Sequence, residues 1–361
     1  MNQVEFVILP LANPSFDREK VDIEKIRELS SHGLEDYPDE DRAIAWLCML
    51  GIYPDDPSKW NEKKQELKDS YWDFIKDYKL TDWHTKNFPN QVPIKNFDVE
   101  DNRLMGLIHG DLVRTGRTIF FLHPDPIDDG YVPDEFDVQM CQYAGHVRRL
   151  ERILYAFSKV NAGWGYMQGF NEIITPFYYI LDKAISLFNN DKIMLEALTF
   201  QCMQTILTES NLHEFYTTQD RTIIMHKLDD FNQLVKKHLK ETHEIINELQ
   251  IHPLMYCFKW FNLLFTQEYY LPTLIQIWDD LFSHFEILMD FAFYIGLGHL
   301  NSIKYTLRKG DYSATLEALQ VTHDDVNIRD SIDFANKCFD LDHKNKKTGI
   351  LNFLKKKISF S

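Results

Sequence analysis

In HVRRLERILYAFSKV, His146 to Val160, the residues Val147, Leu150, Ile153, Leu154, Phe157 and Val160 fall at intervals of three and four. That is the period of an α-helix with an apolar stripe, and the strict alternation of a half-buried strand is absent. Asn161 and Gly163 end this helix, and after Gly165 a second is predicted through FNEIITPFYYILDKA, residues 170–184. The same period recurs downstream over roughly 193–208, 219–248, 254–266, 271–282, 286–303, 312–321 and 327–339. Breakers and caps such as Pro253, Pro272 and Gly310-Asp311 stand at the junctions. No internal repeat is visible, so a solenoid is excluded, and the expected fold class is all-α.

Upstream, Asp22 is placed to cap a helix through DIEKIRELSSHG, with Ile23, Ile26 and Leu29 turned inward and Gly33 closing it. RAIAWLCMLG puts Arg42 and Trp46 four residues apart, on one side of a helix ending at Gly51. WNEKKQELKDSYWDFIKDYKL is a third helix, with Leu67, Tyr71, Phe74, Ile75 and Tyr78 as its inward stripe. Residues 81–101 lack a period and read as a long surface connection. IFFLHPDPIDDGYVP, 119–133, reads as a proline-rich loop whose Asp125, Asp128 and Asp129 are expected to be solvated turn formers. It lacks the regular oxygen spacing and terminal glutamate of a calcium loop.

The chain has 361 residues, 44% of them hydrophobic and 14% aromatic, with few glycines and prolines, which suits a large helical core. A net charge of −16 argues against nucleic acid as a partner, because phosphate recognition needs a basic face. The five cysteines are scattered without a CxxC pair and read as reduced core thiols, not as disulfides or metal ligands. The N-terminal apolar run is too short for a signal peptide, no stretch is long enough for a membrane span, and a cytoplasmic protein is expected.

No conventional catalytic constellation is present: no GxSxG, HExxH, P-loop or dinucleotide fingerprint. Two stretches stand out instead. In IHGDLVRT, residues 108–115, Ile108, Asp111 and Arg114 are spaced by three, so an apolar anchor, an acid and an arginine can share one helical face. About fifty residues on, GWGYMQGFNEI carries Tyr166, Gln168 and Gly169. An arginine supplied in trans stabilises charge near the leaving oxygen of a phosphoryl transfer, and a glutamine amide orients the attacking water. A chain presenting both would accelerate a slow GTPase without binding nucleotide itself. Taken singly, each stretch is better explained as an ordinary surface ion pair or a solvated amide. His109, beside the arginine segment, is a secondary candidate for approaching phosphate or partner, and Asp111 has a competing role as a helix N-cap.

These stretches resemble the IxxDxxR and YxQ motifs of the TBC domain family, which activates Rab GTPases. Three further matches fall in the same order: Arg42 and Trp46 in RAIAW, the helices of HPLMYCFKWFNLLFTQEYYLPTLIQIWDDLF ending in Trp278 and Asp279, and GDYSATLEALQ. The resemblance covers about residues 25–340. It implies a multi-helical TBC (Rab-GAP) fold with a groove between a finger-bearing half, 25–175, and a second helical half, 176–340. An arm, 1–24, precedes this domain and a tail, 341–361, follows it.

The resemblance implies Arg114 as arginine finger and Asp111 as the residue that orients it. It implies Ile108 as anchor and Gln168 as glutamine finger, with Tyr166 and Gly169 supporting. Arg42, Trp46, Trp278 and Asp279 would be structural. The implied partner is a GTP-bound Rab-family GTPase in membrane trafficking. GTP and Mg²⁺ would belong to the partner, with no cofactor or metal on this chain. The alternative is a catalytically silent TBC fold that binds a Rab or scaffolds a complex. Phe170 stands where methionine is usual after QG, Lys259 where arginine is common, and Gln267 where many members have arginine. The last two bear on GTPase preference. Within the tail, residues 344–361 carry Lys344, Lys346, Lys347, Lys355, Lys356 and Lys357 and no acid, together with Ile350, Leu351, Phe353 and Leu354. It is expected to fray or to pack on the protein, with weak contact to anionic endomembrane surfaces as the second expectation.

Overall fold

The computed structural model describes residues 20–83, 94, 97–127, 140–217, 221–321 and 327–358. The expected N-terminal arm therefore lies largely outside the described residues, as do Asp128 and Asp129. The described residues are helical throughout, with no strand among them, as the sequence predicts. The first helices are α1 (Ile23–Ser31), α2 (Asp39–Met49), α3 (Trp60–Asp77), α4 (Val99–Leu112) and the short α5 (Gly116–Ile119). Next come α6 (Ala144–Val160), α7 (Phe170–Lys183), α8 (Lys192–Glu209), α9 (Glu214–Thr217), α10 (Arg221–His238) and α11 (Lys240–Glu248). The last are α12 (Phe258–Asn262), α13 (Leu271–Ser283), α14 (Leu288–Ile303), α15 (Tyr312–Gln320) and α16 (Ile328–Ile358).

The chain forms two compact units, one from residues 1–217 and 270–286, the other from 218–269 and 287–361. This cut differs from a division between residues 175 and 176: residues 176–217 stay with the first unit, and α13 joins it. Asp279 on α13 accounts for that. Its carboxylate, fully shielded from solvent, accepts from Arg42 Nε at 3.2 and 3.3 Å, from Trp46 Nε1 at 2.7 Å and from the Leu34 amide at 3.3 Å. Around it the rings of Trp46, Phe177, Trp278 and Phe282 pack with centroids 4.9–6.0 Å apart.

In the first unit α6 is the central helix, packed on α3, α4, α7 and α8. An apolar stripe at spacings of three and four normally faces one side only. Here the other side is buried as well: Arg148, Arg149, Glu151 and Arg152 are all at least nine-tenths shielded. Each charge is met. Glu151 accepts from Trp83 Nε1 at 2.9 Å, lies 2.6 Å from His109 Nδ1 and pairs with Arg148. Arg152 donates to Glu196, which also takes the Tyr71 hydroxyl at 2.7 Å. Asp125, expected to be a solvated turn former, is instead the partner of Arg149, whose Nε donates to the Tyr178 hydroxyl at 2.7 Å. A buried guanidinium without a counter-charge would cost several kcal/mol, roughly, which is why a proline-rich loop is drawn onto this helix.

Local signals hold where they were strong. Asp22 Oδ1 accepts the Lys25 amide at 3.0 Å, and Gly33 closes the turn at φ +94°. The predicted 219–248 helix is two helices, because Leu239 between α10 and α11 takes non-helical angles with its side chain buried. The last helix continues past residue 339 to Ile358, since no proline interrupts it. In the second unit α14 packs on α16 so closely that a Cβ on Gly298 would stand 2.1 Å from the Ser331 carbonyl oxygen. Among the described residues no single helix is long and apolar enough to cross a membrane.

Candidate functional site

Helix α4 starts on Asp98, whose carboxylate accepts the Asp101 amide at 2.7 Å, and stops at Leu112. Ile108, Leu112 and Met105 are fully buried and fix its inner face. Asp111 sits in the last turn, so the competing N-cap role is wrong: it is at the C-terminal end of a helix, where a carboxylate gains nothing from the backbone dipole. Its two oxygens are divided. One pairs with Arg114, which follows the helix in a tight turn, and the other accepts the Tyr166 hydroxyl at 2.8 Å. The Arg114 side chain is 60% exposed, against 11% for Asp111, so the guanidinium is steered from a mostly buried base into solvent.

His109, a candidate for approaching phosphate, is not on the surface. It is fully buried and spends its Nδ1 on Glu151. Burial alone would raise the Glu151 carboxyl, but the Arg148 guanidinium and His109 outweigh it and hold it below the usual range. The pair pins the middle of α4 to α6.

The glutamine segment leaves α6 at Asn161 and enters α7 at Phe170. Asn161 and the Gln204 side chain exchange two hydrogen bonds, 2.8 and 3.2 Å, and Trp164 stacks on His213 at 5.6 Å. Gly169 precedes α7 at φ +103°, a conformation that a side chain would strain, and it turns the chain into the helix. Phe170, in place of the usual methionine, is wholly buried against Phe157, Tyr166 and Tyr216. Between these anchors Gln168 is exposed, and its side chain makes no hydrogen bond to the described residues.

Tyr166 therefore does not seat Gln168 directly; its hydroxyl joins the glutamine segment to Asp111. Burial, with the Asp111 carboxylate beside it, pushes that hydroxyl far above its ordinary pKa and keeps it a donor. Asn171, which was assigned no role from the sequence, touches both segments: its amide contacts the Gly169 N–H, the Thr115 hydroxyl and the Asp111 carbonyl. Two exposed polar groups, a cation and an amide, are thus carried on segments bonded to each other. No cluster of three or more histidine, cysteine or acidic side chains suitable for a metal occurs among the described residues.

Elsewhere, Arg42, Trp46, Trp278 and Asp279 are buried together. Burial raises the Asp279 carboxyl to about 6, with Arg42 and the Trp46 N–H pulling the other way. Lys259 is engaged within the second unit, with Glu268 at 3.0 Å and the Gln320 carbonyl at 3.0 Å.

Residues 132–307 match the family described as Rab-GTPase-TBC domain. The chain is 31% identical over 188 residues to TBC1 domain family member 13 of Homo sapiens, covering 52% of this chain and 46% of that one. It is 22% identical over 288 residues to the GTPase-activating protein GYP1 of Saccharomyces cerevisiae, 74% of this chain and 38% of that one. The chain thus spans about half or less of the length of these curated relatives. In fold it is similar to the crystal structure of the Ypt/Rab-GAP domain of Gyp1p, with a TM-score of 0.67 at 21% identity, covering 94% of this chain and 98% of that one.

Proposed function

We propose that this chain, whose residues 132–307 match the Rab-GTPase-TBC domain family, accelerates GTP hydrolysis by a GTP-bound Rab-family GTPase in membrane trafficking. Arg114 acts as an arginine finger and Gln168 as a glutamine finger. The arginine neutralises charge that develops as the γ-phosphoryl group departs, and the amide positions the attacking water. Nucleotide and Mg²⁺ belong to the partner, and this chain contributes no cofactor.

One observation carries the reading. Arg114 and Gln168 are both exposed, and the segments that bear them are bonded through Asp111, Tyr166 and Asn171. A surface ion pair with no further task does not call for a half-buried tyrosine and a buried asparagine behind it. The relatives' names, which include Rab-GAP and GTPase-activating protein, supply the partner class.

The test is single-turnover hydrolysis across a panel of GTP-loaded Rab proteins. The parent should stimulate at least one, and Arg114→Ala and Gln168→Ala should each reduce that stimulation at least about tenfold with the fold intact. An Arg114→Ala protein as active as the parent, or binding without stimulation by the parent, would leave the silent scaffolding alternative in its place.

A further inference from the structure

We infer that Asn171 is the positioning residue that fixes the two finger segments relative to each other, with Thr115 as its counterpart; this rests on the two-finger reading above. Asn171 is 5% exposed and Thr115 is 1% exposed, so water is largely excluded from replacing what they make. The Asn171 Nδ2 donates to Thr115 Oγ1 at 2.7 Å and stands 3.5 Å from the Asp111 carbonyl. Its Oδ1 accepts the Gly169 amide at 3.2 Å. The Thr115 hydroxyl spends its own proton on the Asp111 carbonyl at 2.9 Å, so its oxygen is free to accept from Asn171.

The orientation of the amide is forced. The Gly169 N–H can only donate and must face the oxygen, which turns the NH₂ toward Thr115. The Tyr166 hydroxyl gives its one proton to Asp111, and its 3.5 Å approach to Oδ1 is a packing contact.

Placement makes this more than a buried hydrogen bond. Gly169 is the residue after Gln168, and Thr115 is the residue after Arg114. One side chain therefore holds the residue next to each finger, on its two opposite ends. A planar amide has no internal freedom between its oxygen and nitrogen, so it acts as a spacer of fixed length. No shorter or unbranched polar side chain at position 171 offers a donor and an acceptor in that geometry. A displacement of about 1 Å between catalytic groups can cost on the order of 10²-fold in rate. Loss of the spacer should accordingly appear in the chemical step and not in docking of the partner.

The experiment uses the full chain and the variants Asn171→Ala, Thr115→Val and Thr115→Ser. Thr115→Val is nearly isosteric and replaces the hydroxyl with a methyl group, whereas Thr115→Ser keeps the hydroxyl and loses the methyl. With a Rab that the parent stimulates, Asn171→Ala and Thr115→Val should lower the saturating rate at least tenfold. The half-saturating concentration should move less than threefold, and Thr115→Ser should recover to within threefold of the parent. Placed on an Arg114→Ala background, Asn171→Ala should add less than threefold.

A second measurement needs no GTPase. Amide hydrogen exchange at Gly169 should quicken at least tenfold in Asn171→Ala, while residues 146–158 of α6 exchange as in the parent. An unchanged Gly169 exchange rate overturns the inference whatever the assay gives. A faster Gly169 with an unchanged saturating rate, or a Thr115→Ser as slow as Thr115→Val, overturns it for catalysis and leaves the two-finger reading intact. A parent that stimulates no Rab defeats the two-finger reading and its catalytic spacer, and the exchange result then decides the structural clamp alone.

Discussion

Arg42 with Asp279 and Arg114 with Asp111 are the same two residue types, in the same unit, each joined through a guanidinium nitrogen and a carboxylate oxygen. The first pair is 9% and 0% exposed, and its acid is surrounded by three donors. The second is 60% and 11% exposed, with only the acid embedded. Burial on both sides makes a staple, because Asp279 is the acceptor on which Arg42, Trp46 and the Leu34 amide converge. Burial on one side makes a pointer: the acid is fixed by Tyr166 and the arginine is directed but still in water. The comparison predicts that the two arginines report on different quantities, one on stability and the other on rate.

The sharpest way to break that contrast is Asp279→Ala. It leaves Arg42 and Trp46 without their acceptor in a dry site, and removal of one member of a buried pair costs about 3–5 kcal/mol. Urea unfolding followed by circular dichroism reads this directly, and a loss under about 1 kcal/mol would contradict the staple. Arg114→Ala is the converse. Stimulated hydrolysis should fall at least about tenfold, roughly 1.4 kcal/mol or more in barrier, while unfolding free energy stays within about 0.5 kcal/mol of the parent. Equal destabilisation by the two substitutions would erase the distinction between them.

The acids sharpen the contrast through pH. The Asp279 carboxyl is raised by burial to about 6, above its unfolded value. The folded protein therefore binds that proton more tightly than the unfolded chain does. The group destabilises the fold when ionised, and that penalty is relieved as pH falls through about 6 toward the unfolded value. Against Asp279→Asn, which stays neutral, the parent should gain about 1 kcal/mol in relative stability between pH 7 and pH 5. A flat difference over that interval would mean that Arg42 and the surrounding N–H groups hold the carboxylate ionised throughout.

How much of this was legible in the sequence follows from the range of each interaction. The cap at Asp22, the closing Gly33 and the pair of Asp111 and Arg114 are local, each spanning a few residues, and the spacing announces them, although Arg114 itself stands in the turn beyond α4. The break at Leu239 was not legible, because a buried leucine fits a continuous helical stripe equally well. Charges on α6 look in a sequence like a solvated face, yet Glu151 meets His109 across 42 positions and Arg149 meets Asp125 across 24. Asn171 reaches Thr115 across 56 positions, and Asn161 reaches Gln204 across 43. Such bonds leave no periodic trace, since any polar residue at those positions fits the local pattern. Arg114 and Gln168, with Ile108, Asp111 and Tyr166, were visible because they fall in short motifs; the bond from Asn171 to Thr115 was not, because its two ends are remote in the chain.

Tyr166→Phe is the mildest test of the pointer. It removes one oxygen and keeps the ring that packs on Phe170 at 6.1 Å, so the core loses little. The Asp111 oxygen that accepted the hydroxyl is 2.8 Å away on a residue with 11% of its side chain exposed, and water can take over part of that role. Stability should fall by about 1 kcal/mol or less, the net worth of one hydrogen bond. The carboxylate would then be held from one side only, and Arg114 with it. Stimulated hydrolysis should drop about three- to fivefold, well short of the loss on removing the arginine itself. A fall as large as that of Arg114→Ala would assign the tyrosine a direct part in the chemistry. No fall at all would mean that the embedded acid needs only Asn171 and the end of α4 to aim its arginine.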